Sequence, residues 1–118
     1  MNILLQVYNL EVGGTQKYVI DLANSFAQQG HTVHIITSVN NTSSHRFIID
    51  ERIFVKVIPH NKNYINCLKS YLINTRVDIV HSSDWELWKY CWFLCNRMNI
   101  SFVKTTHATP KYSLLNVF

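Results

Sequence analysis

A parallel α/β sheet of about five strands, ordered 3-2-1-4-5 with helices on both faces, is the fold class that this sequence predicts. Three observations carry that expectation. Short apolar or β-branched runs alternate with segments of helical period from the first residues to about residue 106. The helical segments are long enough to act as crossovers, and a crossover between strands of one sheet leaves those strands parallel. Hydrophobic residues make up 47% of the 118 residues, enough for one core within one domain.

Residues 3–8 (Ile-Leu-Leu-Gln-Val-Tyr) form an apolar run suited to a buried first strand. Gly13 and Gly14 punctuate the chain, and Thr15 is the candidate N-cap of the segment that follows. Over residues 16–29 the period becomes helical: Val19, Leu22, Ala23 and Phe26 share one face, opposite Lys17, Asp21, Asn24 and Gln28. Gly30 stands where a left-handed C-cap is wanted. Residues 32–37 are mostly β-branched and predict a second strand. A polar Asn/Ser-rich loop covers 38–46, and a third strand over 53–58 is stopped by Pro59. Tyr64, Leu68, Tyr71 and Leu72 set a helical spacing within 61–76. Residues 78–81 are a short fourth strand. Asp84 caps a helix running to about Met98, whose apolar half includes Trp85, Trp88, Cys91, Trp92 and Cys95 and reads as core, with Phe93 stranded on the polar side. A fifth strand covers 101–106, and beyond Pro110 the pattern dissolves.

Charge and cysteine content narrow the function. A formal net charge of +4 suits phosphates or an anionic membrane surface. No dense Lys/Arg run is present, which argues against direct nucleic-acid binding. Cys67, Cys91 and Cys95 are odd in number, lack CxxC spacing and read as small hydrophobes in a reducing compartment. Residues 1–7 are too short and too uncharged for a signal peptide, and no run reaches membrane-span length. A cytoplasmic location is therefore expected, where the sequons at Asn40, Asn41 and Asn99 carry no glycan. His31 and His34 fall at the opposite edge of the sheet and read as structural or solvated. His45 and His60 have no partner at metal spacing, and no metal site is expected.

In a sheet of this order ligands bind outside the carboxyl ends of the strands, near the switch between the first and fourth. Three unusual segments fall there. Residues 9–15 place Gly13 and Gly14 before a helix start, where free N–H groups and the positive dipole end favour an anion; the same pair also fits a plain tight turn. His81-Ser82-Ser83-Asp84 follows the fourth strand and fits either a binding corner or a helix cap beside an edge histidine. Residues 105–110 put His107 at a strand end among small polar neighbours. Trp85 opens its helix at this same edge. A dinucleotide is disfavoured: the glycines do not read GxGxxG, and the second strand ends in Thr37-Ser38 without an acid for the ribose.

The run Asn9-Leu10-Glu11-Val12-Gly13-Gly14-Thr15-Gln16, with Val19, Leu22-Ala23, Gly30-His31 and Val33, resembles the opening of the family 4 glycosyltransferases of GT-B fold. Asp78-Ile79-Val80-His81 and Val103-Lys104-Thr105-Thr106-His107 continue the resemblance in the right order, to about residue 110. The resemblance implies a Rossmann-like, acceptor-side N-terminal domain over residues 1–118, incomplete at its C-terminal end, facing a second domain that binds a nucleotide diphosphate sugar. It implies that Gly13 and Gly14, with Thr15, approach the donor diphosphate. His107 would contact the transferred sugar as the catalytic residue. Asn9, Glu11, Ser82, Ser83, Asp84 and Trp85 are acceptor-side candidates. The implied reaction is hexosyl transfer, with retention and without a cofactor or required metal, to a cell-surface polysaccharide or glycolipid, at the inner face of the membrane.

Departures from the family pattern accompany the resemblance. Gln16 stands where members often carry Glu, and Ser82-Ser83 follows the fourth-strand histidine. No paired glutamates of a donor domain are present, so the isolated chain is expected to be inactive. Two other readings stay open: a non-catalytic acceptor- or phosphate-binding module, and an interaction protein that exposes Phe93 and the apolar residues 114–118.

Overall fold

A computed structural model describes residues 1–10, 14–39 and 48–106. In chain order the elements are β1 (Asn2–Gln6), α1 (Gly14–Gln28), β2 (Thr32–Thr37), β3 (Phe54–Val57), α2 (Tyr64–Thr75), β4 (Ile79–Ser82), α3 (Trp88–Met98) and β5 (Ser101–Lys104). The strands form one sheet in the order β3-β2-β1-β4-β5, and every neighbouring pair is parallel. The expected fold class and strand order are both present.

Side chains alternate across each strand, and that alternation divides the core in two. Ile3 and Leu5 of β1 join Val33 and Ile35 of β2 beneath Val19, Ile20, Ala23 and Ala27 of α1. Leu4, Ile36 and Val80 face the other way, against Tyr64, Leu68 and Leu72 of α2 and Cys91, Leu94 and Cys95 of α3. Both faces are therefore covered, which is why the strands read as nearly continuous apolar runs. Leu68 is wholly buried, and its truncation to Ala would cost about 2–5 kcal/mol.

One polar group is built into this interior. His34 projects from β2 toward α2, where its Nδ1 meets the Tyr71 hydroxyl at 2.8 Å and its Nε2 meets Asn2 Oδ1 at 2.9 Å. The Asn2 amide is oriented by Nδ2 donating to the carbonyls of Thr75 and Arg76. Its oxygen therefore faces the imidazole, so Nε2 carries the proton and Nδ1 accepts from Tyr71. The ring also stacks on Phe54, with centroids 5.2 Å apart. A structural role for His34 holds, though it lies inside the strand and not at its start.

Helix ends show where local rules apply. Gly30 adopts φ 93°, the left-handed conformation expected after α1. α2 and α3 end on Arg76 (φ 53°) and Asn99 (φ 57°), whose N–H groups bond back to the carbonyls of Leu72 and Cys95. Asn adopts that conformation readily and Arg does not.

Three local expectations are corrected. Helix α1 begins at Gly14, so Thr15 lies within its first turn instead of capping it. Helix α3 begins at Trp88, because Asp84 Oδ1 accepts from the N–H groups of Glu86 (2.8 Å) and Leu87 (2.7 Å) and closes a separate turn ahead of it. Trp92, 50% exposed on the flank of α3, and Trp85, 83% exposed ahead of it, are not core: the buried line runs through Leu87, Cys91, Leu94 and Cys95.

Candidate functional site

Parallel strands all point their carboxyl ends to one edge, so the segments that follow β1, β4 and β5 meet there. They enclose a cleft of about 560 Å³. Tyr8 and Asn9 after β1, Thr15 and Gln16 at the start of α1, Ser83 to Trp85 after β4, and Lys104 to Thr106 at the end of β5 form its walls.

The wall nearest α1 presents a helix N-terminus. Among the described residues the first turn of α1 contains no acidic side chain, so no described carboxylate there offsets the N–H groups and the positive dipole end. Gln16 Nε2 donates to Asn9 Oδ1 at 2.9 Å, which ties the β1 loop to the helix start. Gly14 is the first residue of α1, and a Cβ there would meet nothing within 4 Å. Among the described residues no neighbour demands a glycine at this position.

The opposite wall is the β4–α3 corner, held from beneath by a buried polar chain. Ser82, fully buried, donates through Oγ to Gln6 Oε1 at 2.6 Å, and Gln6 Nε2 donates to the Tyr64 hydroxyl. The Ser83 N–H bonds to the Gln6 carbonyl at 2.8 Å, and the Asp84 N–H reaches Ser82 Oγ at 3.3 Å. Burial pushes the Tyr64 phenol well above its usual range, so it stays a neutral hydroxyl. Asp84 is only 3% exposed. Its Oδ1 takes the two turn N–H groups, while Oδ2 is buried without a hydrogen-bond partner. Trp85 projects outward at 83% exposure, on the rim.

At the third wall, the Lys104 ammonium lies 4.0 Å from the Trp88 ring centroid, a cation–π contact that parks a positive charge beside the cleft. His81 faces the α1 side of the sheet. Its ring meets Tyr18 edge-on at 6.0 Å and its Nε2 bonds to Thr105 Oγ1, so it braces the end of β5 from behind the cleft.

Of the residues singled out in the sequence, Asn9, Gly14, Thr15, Ser83, Asp84 and Trp85 come together at this edge. Ser82 belongs to the floor support and not to the wall. Glu11, Gly13 and His107 lie outside the described residues. Tyr8, Gln16, Lys104 and Thr105 join the walls without having been singled out as site residues; their position at the strand ends was the available signal. Gln6 was also missed, although a lone Gln inside an apolar run is a readable anomaly. Among the described residues no group of three or more His, Cys, Asp or Glu side chains could hold a metal ion.

Solved structures include a fold match. The chain superposes on sucrose-phosphate synthase from Thermosynechococcus elongatus with a TM-score of 0.70 at 18% sequence identity, over 91% of this chain and 33% of that one. That likeness establishes the fold, and this chain spans about a third of the length of that protein. No curated protein matches the sequence. The family model described as Glycosyltransferase Family 4 matches residues 12–117. With the match extending over nearly the whole chain, and with the strand order and cleft in place, the protein belongs to Glycosyltransferase Family 4.

Proposed function

We propose that this chain is the acceptor-side, N-terminal domain of a hexosyltransferase that uses a nucleotide diphosphate sugar. In this reading the domain forms one side of an active site whose other side, a donor-binding domain with paired glutamates, comes from elsewhere in a longer or two-chain enzyme. The acceptor is a surface polysaccharide or glycolipid, transfer proceeds with retention, and the enzyme works in the cytoplasm at the inner face of the membrane. What carries the reading is the convergence of three strand ends on one cleft beside the start of α1, whose first turn holds no acidic side chain.

The chemistry follows from that arrangement. When the bond between the sugar and the diphosphate breaks, negative charge collects on the leaving oxygens. Backbone N–H groups of Gly14 and Thr15 are suited to receive it, because a helix start is fixed before the reaction begins, and Gly13 approaches the diphosphate with them in this reading. Lys104 adds a positive charge at the same cleft. His107 contacts the transferred sugar next to the reacting bond. Asn9, Glu11, Ser83 and Asp84 offer hydrogen-bond partners for acceptor hydroxyls, Trp85 offers an apolar face for a sugar ring, and Ser82 holds their corner in place. No cofactor or metal enters this scheme.

Two measurements test it. Amide NMR of the chain with oligosaccharide acceptors should show shifts at Thr15, Ser83, Asp84 and Trp85; shifts confined to other faces would refute the acceptor role. The purified chain, supplied with uridine or guanosine diphosphate sugars, should transfer none of them, and transfer by the chain alone would refute the need for a second domain.

A further inference from the structure

Helices α2 and α3 present an outer face that no part of the described chain covers. Lys69 lies on α2, Lys89 and Arg97 lie on α3, and neither helix contains Asp or Glu. None of the three cations is in an ion pair among the described residues. The exposed apolar side chains Trp92 and Phe93 lie among them. These groups are contiguous. Ile65, Lys69, Phe93 and Arg97 line one groove between the two helices, and Ile65, Lys89, Trp92 and Phe93 line the groove beside it. The Arg97 guanidinium sits 4.8 Å from the Phe93 ring centroid, so charge and aromatic surface are held together.

Charge complementarity selects the occupant. A second copy laid on this face would set three cations against three, and a basic partner would be repelled likewise. The nearest carboxylates along the chain do not neutralise it: Asp84 is buried, and Asp78 accepts from the Asn2 N–H at the other end of α2. Glu86, exposed in the turn before α3, makes no ion pair with Lys89 among the described residues. An anionic headgroup layer matches the cations, and Trp and Phe side chains partition into the boundary beneath it. We propose that the outer face of α2 and α3 docks on an anionic lipid surface, with Trp92 and Phe93 entering the boundary and Lys69, Lys89 and Arg97 against the headgroups. This gives the membrane location proposed above a physical means and rests on that reading; the test reads lipid binding alone, so its failure leaves the transferase assignment standing.

The test is co-sedimentation of the 118-residue chain with phosphatidylcholine vesicles, with and without phosphatidylglycerol. Binding should require phosphatidylglycerol and weaken as salt is added. The combined variant Lys69→Glu, Lys89→Glu, Arg97→Glu should lose more than about 100-fold in partitioning, the loss of three cations near an anionic surface being increased by the repulsion of three carboxylates. Trp92→Ala with Phe93→Ala keeps the net charge, so its loss of binding separates docking from general attraction. Lys17→Glu, on α1 and so on the other side of the sheet, should bind more nearly like the parent. Far-UV circular dichroism confirms that each variant is folded. Three results would overturn the proposal: equal binding to phosphatidylcholine alone, no loss in either α2–α3 variant, or a dimer by light scattering that Trp92→Ala with Phe93→Ala dissolves.

Discussion

Removing the Asp84 carboxylate separates its geometry from its charge. In the folded chain Asp84 Oδ1 holds the N–H groups of Glu86 and Leu87 at 2.8 and 2.7 Å, and the second bond is buried. Asp84→Ala abolishes both acceptors. Loss of a capping side chain costs about 0.5–2 kcal/mol, and leaving a buried donor unpaired costs about 1–3 kcal/mol. One term runs the other way: Oδ2 is buried without a hydrogen-bond partner, and Ala removes that desolvated oxygen. The net expectation is a loss of about 2 kcal/mol, or about 10 °C in melting temperature for a chain of this size. Asp84→Asn keeps an oxygen where Oδ1 stands and should cost less than about 1 kcal/mol. Urea denaturation followed by circular dichroism measures both, with an unchanged slope confirming that only stability has moved. If Ala falls within about 0.5 kcal/mol of the parent, the corner is not held by this carboxylate. If Asn is as damaging as Ala, charge and not hydrogen-bond geometry fixes the turn.

Two further outcomes follow from buried groups. Burial lowers the pKa of His34 below its usual 6.5, so as pH falls the unfolded chain takes up the proton first. The His34 contribution is full above about 6.5 and is lost as pH drops from there through the lower folded value. Urea midpoints should fall over that range, and the part due to this residue should vanish in His34→Gln; an unchanged slope in that variant refutes the assignment. Burial also raises the Cys95 thiol to about 11 and Cys91 well above its usual value, while Cys67 is exposed. A disulfide reagent at neutral pH should therefore modify one thiol quickly and the other two only after denaturant is added; rapid reaction of all three would show that α3 opens readily.

Much of the fold was legible because the central strands β1, β2 and β4 pack their side chains into cores on both faces of the sheet and each helix buries one face. Those two patterns, apolar runs and a period near 3.6, survive without knowledge of neighbours. Gly30 was legible for a local reason, since the left-handed turn after α1 favours a residue without a Cβ. Arg76 adopts the same conformation after α2 with no such signal in its residue type. The start of α3 was misplaced for a related reason. Asp84 is a good cap for a helix and an equally good acceptor for a tight turn, and only packing of Leu87 into the core decides that the turn comes first. Trp92 shows the limit of helical spacing. A stripe tells which residues share a side of the helix, not how much of that side the neighbours cover.

The site was legible in outline for a topological reason. Once the strand order is known, everything after a strand end lies on one edge, so Asn9, Thr15, Ser83 and Trp85 had to be neighbours. What topology could not supply was the division of labour beneath them. Gln6 closes β1 after the apolar run of Ile3, Leu4 and Leu5, Ser82 closes β4, and both are essentially fully buried. Burying an amide and a hydroxyl is costly unless they find partners, and here they partner each other, Tyr64 and the N–H of Asp84. An apolar pair at these positions would fill the same space, but it would leave the β4–α3 corner tied to the sheet only by its backbone. The polar pair places three added hydrogen bonds under the wall of the cleft, where a shift of the corner would change what the cleft can hold. A local violation of the strand pattern is thus informative: it marks where the fold gives up apolar packing to fix a corner of the site.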